Sequence, residues 1–496
     1  MSYPPPFSWL SLACLPMLAL LAGGCKSTDS PTPTPTPPPV MPPPPVTPPA
    51  AGSQVAVWLT MPDKSALFYR QKVNLQFVAN TNSDPIIAVD TTQTFQTMDG
   101  FGYALTGGSA QVMSSMDAAS RAALIKELFA TDSTSLGVSY LRISIGSSDL
   151  DSQVFTYDDS TQPDPTLANF SLAPDQTSLI PVLKEILAVN PAIKILGSPW
   201  TPPSWMKTNN NSVGGSLLPQ YYAAYAQYFV KYIQGMKAAG ITIDAVTLQN
   251  EPLNPNNNPS LMMTAQEQAN FIKNNVGPAF KAAGLTTKII CYDHNPDRPD
   301  YPLAVLGDAG AYPYVDGSAF HFYGGPITAL SQVHDAFPQK NIYFTEFWTQ
   351  APTNGHQVDF GGELAYHVGN LEIGAVRNWS KNVLEWNLAS DQNYGPHTPG
   401  GCDACLGAVT ISGNTVTRNP AYYNVAHSSK FVRPGSVRVA TNQPGNLLNV
   451  AYKTPNGKRC LVVLNNGGTL QNFNIQYKGK VVSTSLYGGA VATYIW

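Results

Sequence analysis

Between residues 95 and 390, short runs with strand character alternate with amphipathic stretches over and over. The runs fall at Thr97–Tyr103, Ser139–Ser144, Ile193–Ser198, Ala245–Asn250, Lys288–Tyr292, Gly317–Phe322, Asn341–Thr345 and Asn382–Asn387. Helical patterns lie between them, including Asp117–Phe129, Leu179–Val189, Gln220–Ala239, Ala265–Ala283 and Gly362–Ile373. Eight βα units over roughly 300 residues are the arithmetic of a (β/α)8 barrel. A doubly wound open sheet is the alternative, but the glycine-rich phosphate-binding turn it often carries is missing.

The flanks read differently. After residue 406 come short alternating runs, Ala408–Ile411, Val437–Val439, Leu447–Tyr452, Arg459–Leu464, Phe473–Tyr477 and Ala490–Ile495, punctuated by Gly-Asn, Pro-Gly and Gly-Gly turns. That is the texture of an antiparallel β-sandwich. Residues 54–94 have the same texture and are expected to complete the same sandwich. The α/β barrel, residues 95–406, is then inserted between its N-terminal strands and a C-terminal module at 407–496.

Residues 1–25 read as a signal peptide. An apolar stretch at 9–22, short for a bilayer span, runs into Leu21-Ala-Gly-Gly-Cys25, which resembles a bacterial lipobox with Cys25 as the lipidated residue. An ordinary secretory peptide is the alternative. Residues 26–53 form a proline-rich linker whose tract at 31–50 can only be an extended spacer. Together they predict an exported protein, held at a membrane by its lipid anchor alone or otherwise secreted. In that oxidising setting Cys402-Asp-Ala-Cys405 is read as a small structural disulfide, with free thiols as the alternative. Cys291 and Cys460 sit in apolar runs and are expected to be buried thiols.

Composition narrows the chemistry. The net charge is −3 and no Lys/Arg run occurs, so nucleic acid is excluded as a partner. The His residues are scattered without a ligand cluster, so neither a metal nor another cofactor is expected. The strand ends, by contrast, are rich in polar and aromatic groups: Gly102 and Tyr103, Arg142, Pro199 and Trp200, Asn250 and Glu251, Asp293 and His294, His321 and Tyr323, Glu346 and Trp348, Trp386 and Asn387. Barrel active sites gather at that rim. Two of the ends are glutamates, expensive to bury unpaired, and a carboxylate pair flanking one bond is the apparatus of glycoside hydrolysis. The alternative is that both are structural ion-pair members.

The segments DGFGYALTGGSA (99–110), YLRISIGSSDL (140–150), GSPWTPPSWMKTN (197–209), LQNEP (248–252), HFY (321–323), YFTEF (343–347), NWSKNVLEWNLA (378–389) and GGCDACLGAVTI (400–411) resemble glycoside hydrolase family 30 and run in family order. That family includes glucosylceramidases, endo-β-1,6-glucanases and certain xylanases. The resemblance implies a retaining β-glucosidase-type hydrolase acting on a carbohydrate or glycolipid, with Glu251 as acid/base and Glu346 as nucleophile. It also implies a raised pKa at Glu251 and an ionised Glu346 supported by Arg142, Tyr323 and His321. Asn250 is expected on the sugar 2-hydroxyl, and Asp149, Trp200 and Trp386 on the same sugar. Asp293 and His294 are expected on the aglycone side. A xylanase-type enzyme and an inactive surface carbohydrate-binding protein are the competing readings.

Overall fold

A computed structural model of the chain describes residues 54–79, 82–353 and 355–496. The expectations for the leader, Cys25 and the proline-rich linker lie outside the described residues. The eight expected barrel strands form one parallel sheet. They are β1 (Gly100–Ala104), β2 (Tyr140–Ile145), β3 (Lys194–Pro199), β4 (Ala245–Thr247), β5 (Lys288–His294), β6 (Val315–His321), β7 (Asn341–Glu346) and β8 (Asn382–Glu385). Each pairs with its predecessor from β2 to β7, and β8 pairs with β1. The remaining seam is closed by Lys381 N–H donating to the Ile342 carbonyl (2.9 Å) and Trp386 N–H to that of Phe347 (2.7 Å). Close approach of strands needs small residues at two places. A Cβ on Gly102 would meet the Tyr140 carbonyl oxygen at 1.9 Å, and one on Gly317 the Asn341 oxygen at 2.0 Å.

Period two fills the barrel in layers. Tyr140, Leu196, Ala245, Ile290, Ala319, Tyr343 and Leu384 cluster with one another inside the strands. Two residues further along come Arg142, Ser198, Thr247, His321, Thr345 and Trp386. An apolar plug therefore sits directly beneath a polar layer, and the sequence spacing alone lifts the polar groups to the rim.

The sandwich sheet has nine strands, in the order Tyr69–Arg70, Ala56–Thr60, Val491–Ile495, Arg459–Asn465, Leu447–Lys453, Val437–Thr441, Ile86–Thr97, Gln471–Tyr477 and Lys480–Leu486. N-terminal and C-terminal strands thus share one sheet. Its central strands are buried on both faces. Tyr452, Cys460, Val462 and Leu464 join the core shared with the barrel, while Ala451, Leu461 and Val463 face the core of the sandwich itself.

Two elements depart from the sequence reading. The strand expected in the sandwich near 408–411, observed at Val409–Ser412, pairs instead with Ala389–Asp391 and Thr415–Arg418 in a separate three-stranded sheet. Its partner Ala389–Asp391 directly follows β8, which ties the segment to the barrel. The helix Pro420–Ser429 was not foreseen. All ten of its residues are buried, so it lacks the polar face that makes a helix visible in sequence.

Candidate active site

Arg142 on β2 is the hub of the rim and is fully buried. Its Nη1 donates to Glu346 Oε2 (2.6 Å), and its Nη2 to Asn250 Oδ1 (2.7 Å) and Asp293 Oδ2 (2.9 Å). The guanidinium lies 4.9 Å from the Trp200 ring and 5.7 Å from that of Trp386. Those two indoles pack at 5.3 Å. A buried cation of this kind needs acceptors for its forked donors; both Nη groups have them, while Nε is left without one.

Asp293 is corrected from an aglycone-side group to the floor of the site. Its Oδ2 also accepts from Ser198 Oγ (2.7 Å) and Thr247 Oγ1 (2.8 Å), and its Oδ1 from Thr345 Oγ1 (2.6 Å). His321 Nε2 lies 3.1 Å from the same Oδ1. Burial opposes its charge, but the Arg142 cation and these donors hold the carboxyl far below the usual range. Strict alternation would turn Tyr292 inward. A register shift between Tyr292 and His294 turns Asp293 inward instead, with φ of 72° at Tyr292 and 78° at Asp293.

Glu346 ends β7 just after another register irregularity. Besides Arg142 it accepts from the Tyr323 hydroxyl at Oε1 (3.0 Å). Tyr323 is steadied by stacking on Phe347 at 5.3 Å. Glu251 follows β4 in a left-handed conformation, φ 46°, a strain of about 1–3 kcal/mol that persists only where its surroundings impose it. Asn254 donates to Glu251 Oε2 (2.7 Å), and His321 Nδ1 lies 3.3 Å from Oε1. His294 Nε2 is 3.8 Å from the same oxygen.

Glu251, His321 and Glu346 each bring one polar atom to within 4.8 Å of the others. One oxygen of each carboxylate therefore lies within 4.8 Å of the other's, the close approach that a retaining pair needs. As a metal site the trio fits poorly, because Arg142 already occupies Glu346 and the imidazole between the glutamates is held as a cation. Burial opposes that charge, but the Glu346 carboxylate and the hydrogen bonds to Asp293 and Glu251 hold His321 up to about 9.

The protonation pattern departs from the expectation for Glu251. Burial favours its neutral form, yet the hydrogen bond and charge of His321 hold it down to about 2. Burial raises Glu346 above its ordinary value against the pull of His321 and Arg142. An imidazolium lodged between the two carboxylates outweighs burial at Glu251. The two shifts, Glu251 down and His321 up, both favour a carboxylate beside an imidazolium.

A pocket of about 230 Å3 opens above the pair, lined by Asp149, Glu251, Glu346, Tyr323, Trp348 and Trp386. Burial, followed by the charge of Glu346, raises the Asp149 carboxyl to about 7. Cys402 and Cys405, bonded to each other, form part of the wall with Asn257. Trp200 is buried beneath, its indole N–H without a partner. Trp205 and Trp379 lie elsewhere: one donates to the Asp158 carbonyl, and the other stacks on His334. Asn254, Ser198, Thr247 and Thr345 were missed, and no sequence signal marks them apart from polar side chains in otherwise apolar strands.

The profile of the glycosyl hydrolase family 30 TIM-barrel domain matches residues 98–432, and that of the family 30 beta sandwich domain matches 435–494. The chain belongs to glycosyl hydrolase family 30. It is 37% identical to an endo-1,6-beta-D-glucanase of Neurospora crassa, over 81% of this chain and 85% of that one. It is 30% identical to a putative glucosylceramidase 2 of Caenorhabditis elegans, over 84% of each. The solved structure of the endo-beta1,6-glucanase BT3312 superposes with a TM-score of 0.83 at 37% identity, covering 89% of this chain and 99% of that one. As a family 30 member the protein is a retaining glycoside hydrolase with a carbohydrate substrate.

Proposed function

We propose that the protein is an endo-β-1,6-glucanase in which Glu346 is the nucleophile and Glu251 the acid/base. The observation that carries the reading is the glutamate pair, within 4.8 Å of each other and bridged by His321, in a chain similar to endo-β-1,6-glucanases along most of its length. Glu346 attacks the anomeric carbon and the glycosidic C–O bond breaks as Glu251 protonates the leaving oxygen. Water, deprotonated by Glu251, then attacks the same carbon and releases Glu346 as a carboxylate.

Glu251 needs a proton before the first step, and His321 Nδ1 lies 3.3 Å from its Oε1. Passing the proton across cancels two charges, an exchange that favours the neutral pair once sugar has displaced water from the pocket. Asn250 holds its oxygen on Arg142, which leaves its amide N–H2 for the 2-hydroxyl of the sugar. Asp149 and Trp386 bind the same ring, and Trp200, expected on the sugar but buried out of its reach, backs Trp386.

Export, with lipidation at Cys25, belongs to the same proposal. A cysteine pair bonded at the pocket wall supports an oxidising compartment. The deciding assay offers one preparation β-1,6-glucan, glucosylceramide and glucuronoxylan. We expect gluco-oligosaccharides from the glucan, released first as the β-anomer by NMR. Faster turnover of glucosylceramide, or glucose as the only early product, would sink the assignment.

A further inference from the structure

A second cleft, of about 610 Å3, lies between the sandwich sheet and the base of the barrel, within the ~300–1,000 Å3 range of small-molecule sites. Thr131, on its wall, belongs to the segment that leads from helix Ala118–Phe129 into the N-terminal end of β2. The cleft therefore opens at the opposite end of the barrel from Glu251 and Glu346, and the family site does not account for it.

Its charge is one-sided. Arg70, Lys430, Arg433 and Lys458 line it, and among the described residues no Asp or Glu does. In a chain with 28 basic and 31 acidic residues, four cations without a facing carboxylate depart from the general balance. Two of them are tied to the surrounding backbone. Lys430 Nζ donates to the carbonyls of Ser133 (2.9 Å) and Ser135 (2.7 Å), and Arg433 Nη1 to those of Gly137 and Ser429. Burial lowers Lys430 to about 8, against the opposing charge of Asp132, and lowers Arg433 as well.

The other half of the lining is aromatic. Trp58 packs on Phe431 at 4.5 Å, and the Arg70 guanidinium lies 5.1 Å from the Trp58 ring. Trp496 completes the wall. Arg70 Nε and Trp496 Nε1 are buried donors without an acceptor, an unfavourable condition for a polar group. Cations, indole faces and unspent N–H donors together match a ring with an apolar C–H face, several oxygens and a negative charge.

We propose that this cleft binds a saccharide bearing an anionic group, a uronate carboxylate or a phosphate ester, with the anion against Arg70 and Lys458 and the ring against Trp58 and Trp496. The site is separate from the hydrolytic one and serves to hold the enzyme on acidic glycans. Calorimetry on the full chain tests it, with a glucuronic-acid disaccharide, glucose 6-phosphate, a neutral β-1,6-linked glucose disaccharide and inorganic phosphate as titrants.

We expect one equivalent of either anionic sugar to bind, and at least tenfold weaker binding in the Arg70→Gln/Lys458→Gln double variant and in Trp496→Ala. Hydrolysis of an aryl β-glucoside should be unchanged by these substitutions and by saturating anionic sugar. Should the double variant fail to melt cooperatively, the exposed Lys458→Gln alone is read, with about threefold weakening expected. Absence of binding, binding indifferent to every cleft variant, or competition with hydrolysis each overturns the proposal. Inorganic phosphate binding as tightly as the sugar phosphate overturns its saccharide half.

Discussion

The two ends of the barrel treat charge in opposite ways. At the rim, Arg142 and His321 sit among Asp293, Glu251 and Glu346, and the anchoring oxygens all have partners within 3.5 Å. At the base, four cations line a cleft whose described lining holds no carboxylate. Charges that neutralise one another at the rim hold reacting groups in fixed protonation states and positions, which is what charge development in a transition state requires. Cations held only by neutral groups at the cleft wall are free to take up an anion. The contrast separates a site built for chemistry from one built for holding, and it can be broken by substitution at either end.

The largest effect belongs to Glu346. Replacing it with Gln keeps the shape but removes the attacking carboxylate, and kcat on β-1,6-glucan should fall by at least about 10^4-fold. A loss under tenfold would mean that another group attacks. Glu251→Gln comes next, with a loss of about 10^2–10^4-fold on glucan, the usual worth of a positioned acid. Its signature is selective. A dinitrophenyl β-glucoside leaves without protonation, so its first, glycosylating step should be nearly as fast as in the wild type. Equal losses on both substrates in a pre-steady-state burst would remove Glu251 from the acid role.

How much of this the sequence displayed depends on whether position or contact is asked. The eight strands and the glutamate-bearing ends were legible because period two and strand termini are local properties. Asp293 was placed on the wrong wall because a bulge, which no residue of Lys288–His294 announces, inverts its direction. The helix Pro420–Ser429 was invisible because Asn424, His427, Ser428 and Ser429 are polar yet buried. His427, for one, lies 2.8 Å from both Thr60 and Thr493 hydroxyls, and these come from opposite ends of the chain. The state of Glu251 failed for a different reason: the deciding neighbour, His321, is 70 positions away.

Asp293→Asn sharpens the comparison through stability. It leaves Arg142 and His321 short of a buried counter-charge, and breaking such a pair costs about 3–5 kcal/mol. Denaturant unfolding should show that loss, whereas Lys458→Gln in the basal cleft should stay within about 0.5 kcal/mol of wild type. Equal costs at the two ends would erase the distinction drawn between them.

The smallest effect is a dependence on pH carried by His321. Its folded pKa, about 9 against an ordinary 6.5, is raised, so the folded state binds this proton more tightly than the unfolded chain. The resulting stability is fully present below 6.5 and is lost as the pH rises through about 9. Melting temperatures recorded at pH 6 and pH 9.5 should therefore differ by a few degrees more in the wild type than in His321→Gln, which cannot titrate. The basal cations offer no such slope over that window beyond the one Lys430 contributes near 8, and Lys430→Gln isolates it. If the wild type and His321→Gln lose stability in parallel, the proton does not reside on the imidazole between the two glutamates, and the route by which Glu251 acquires it must run through the sugar or the solvent instead.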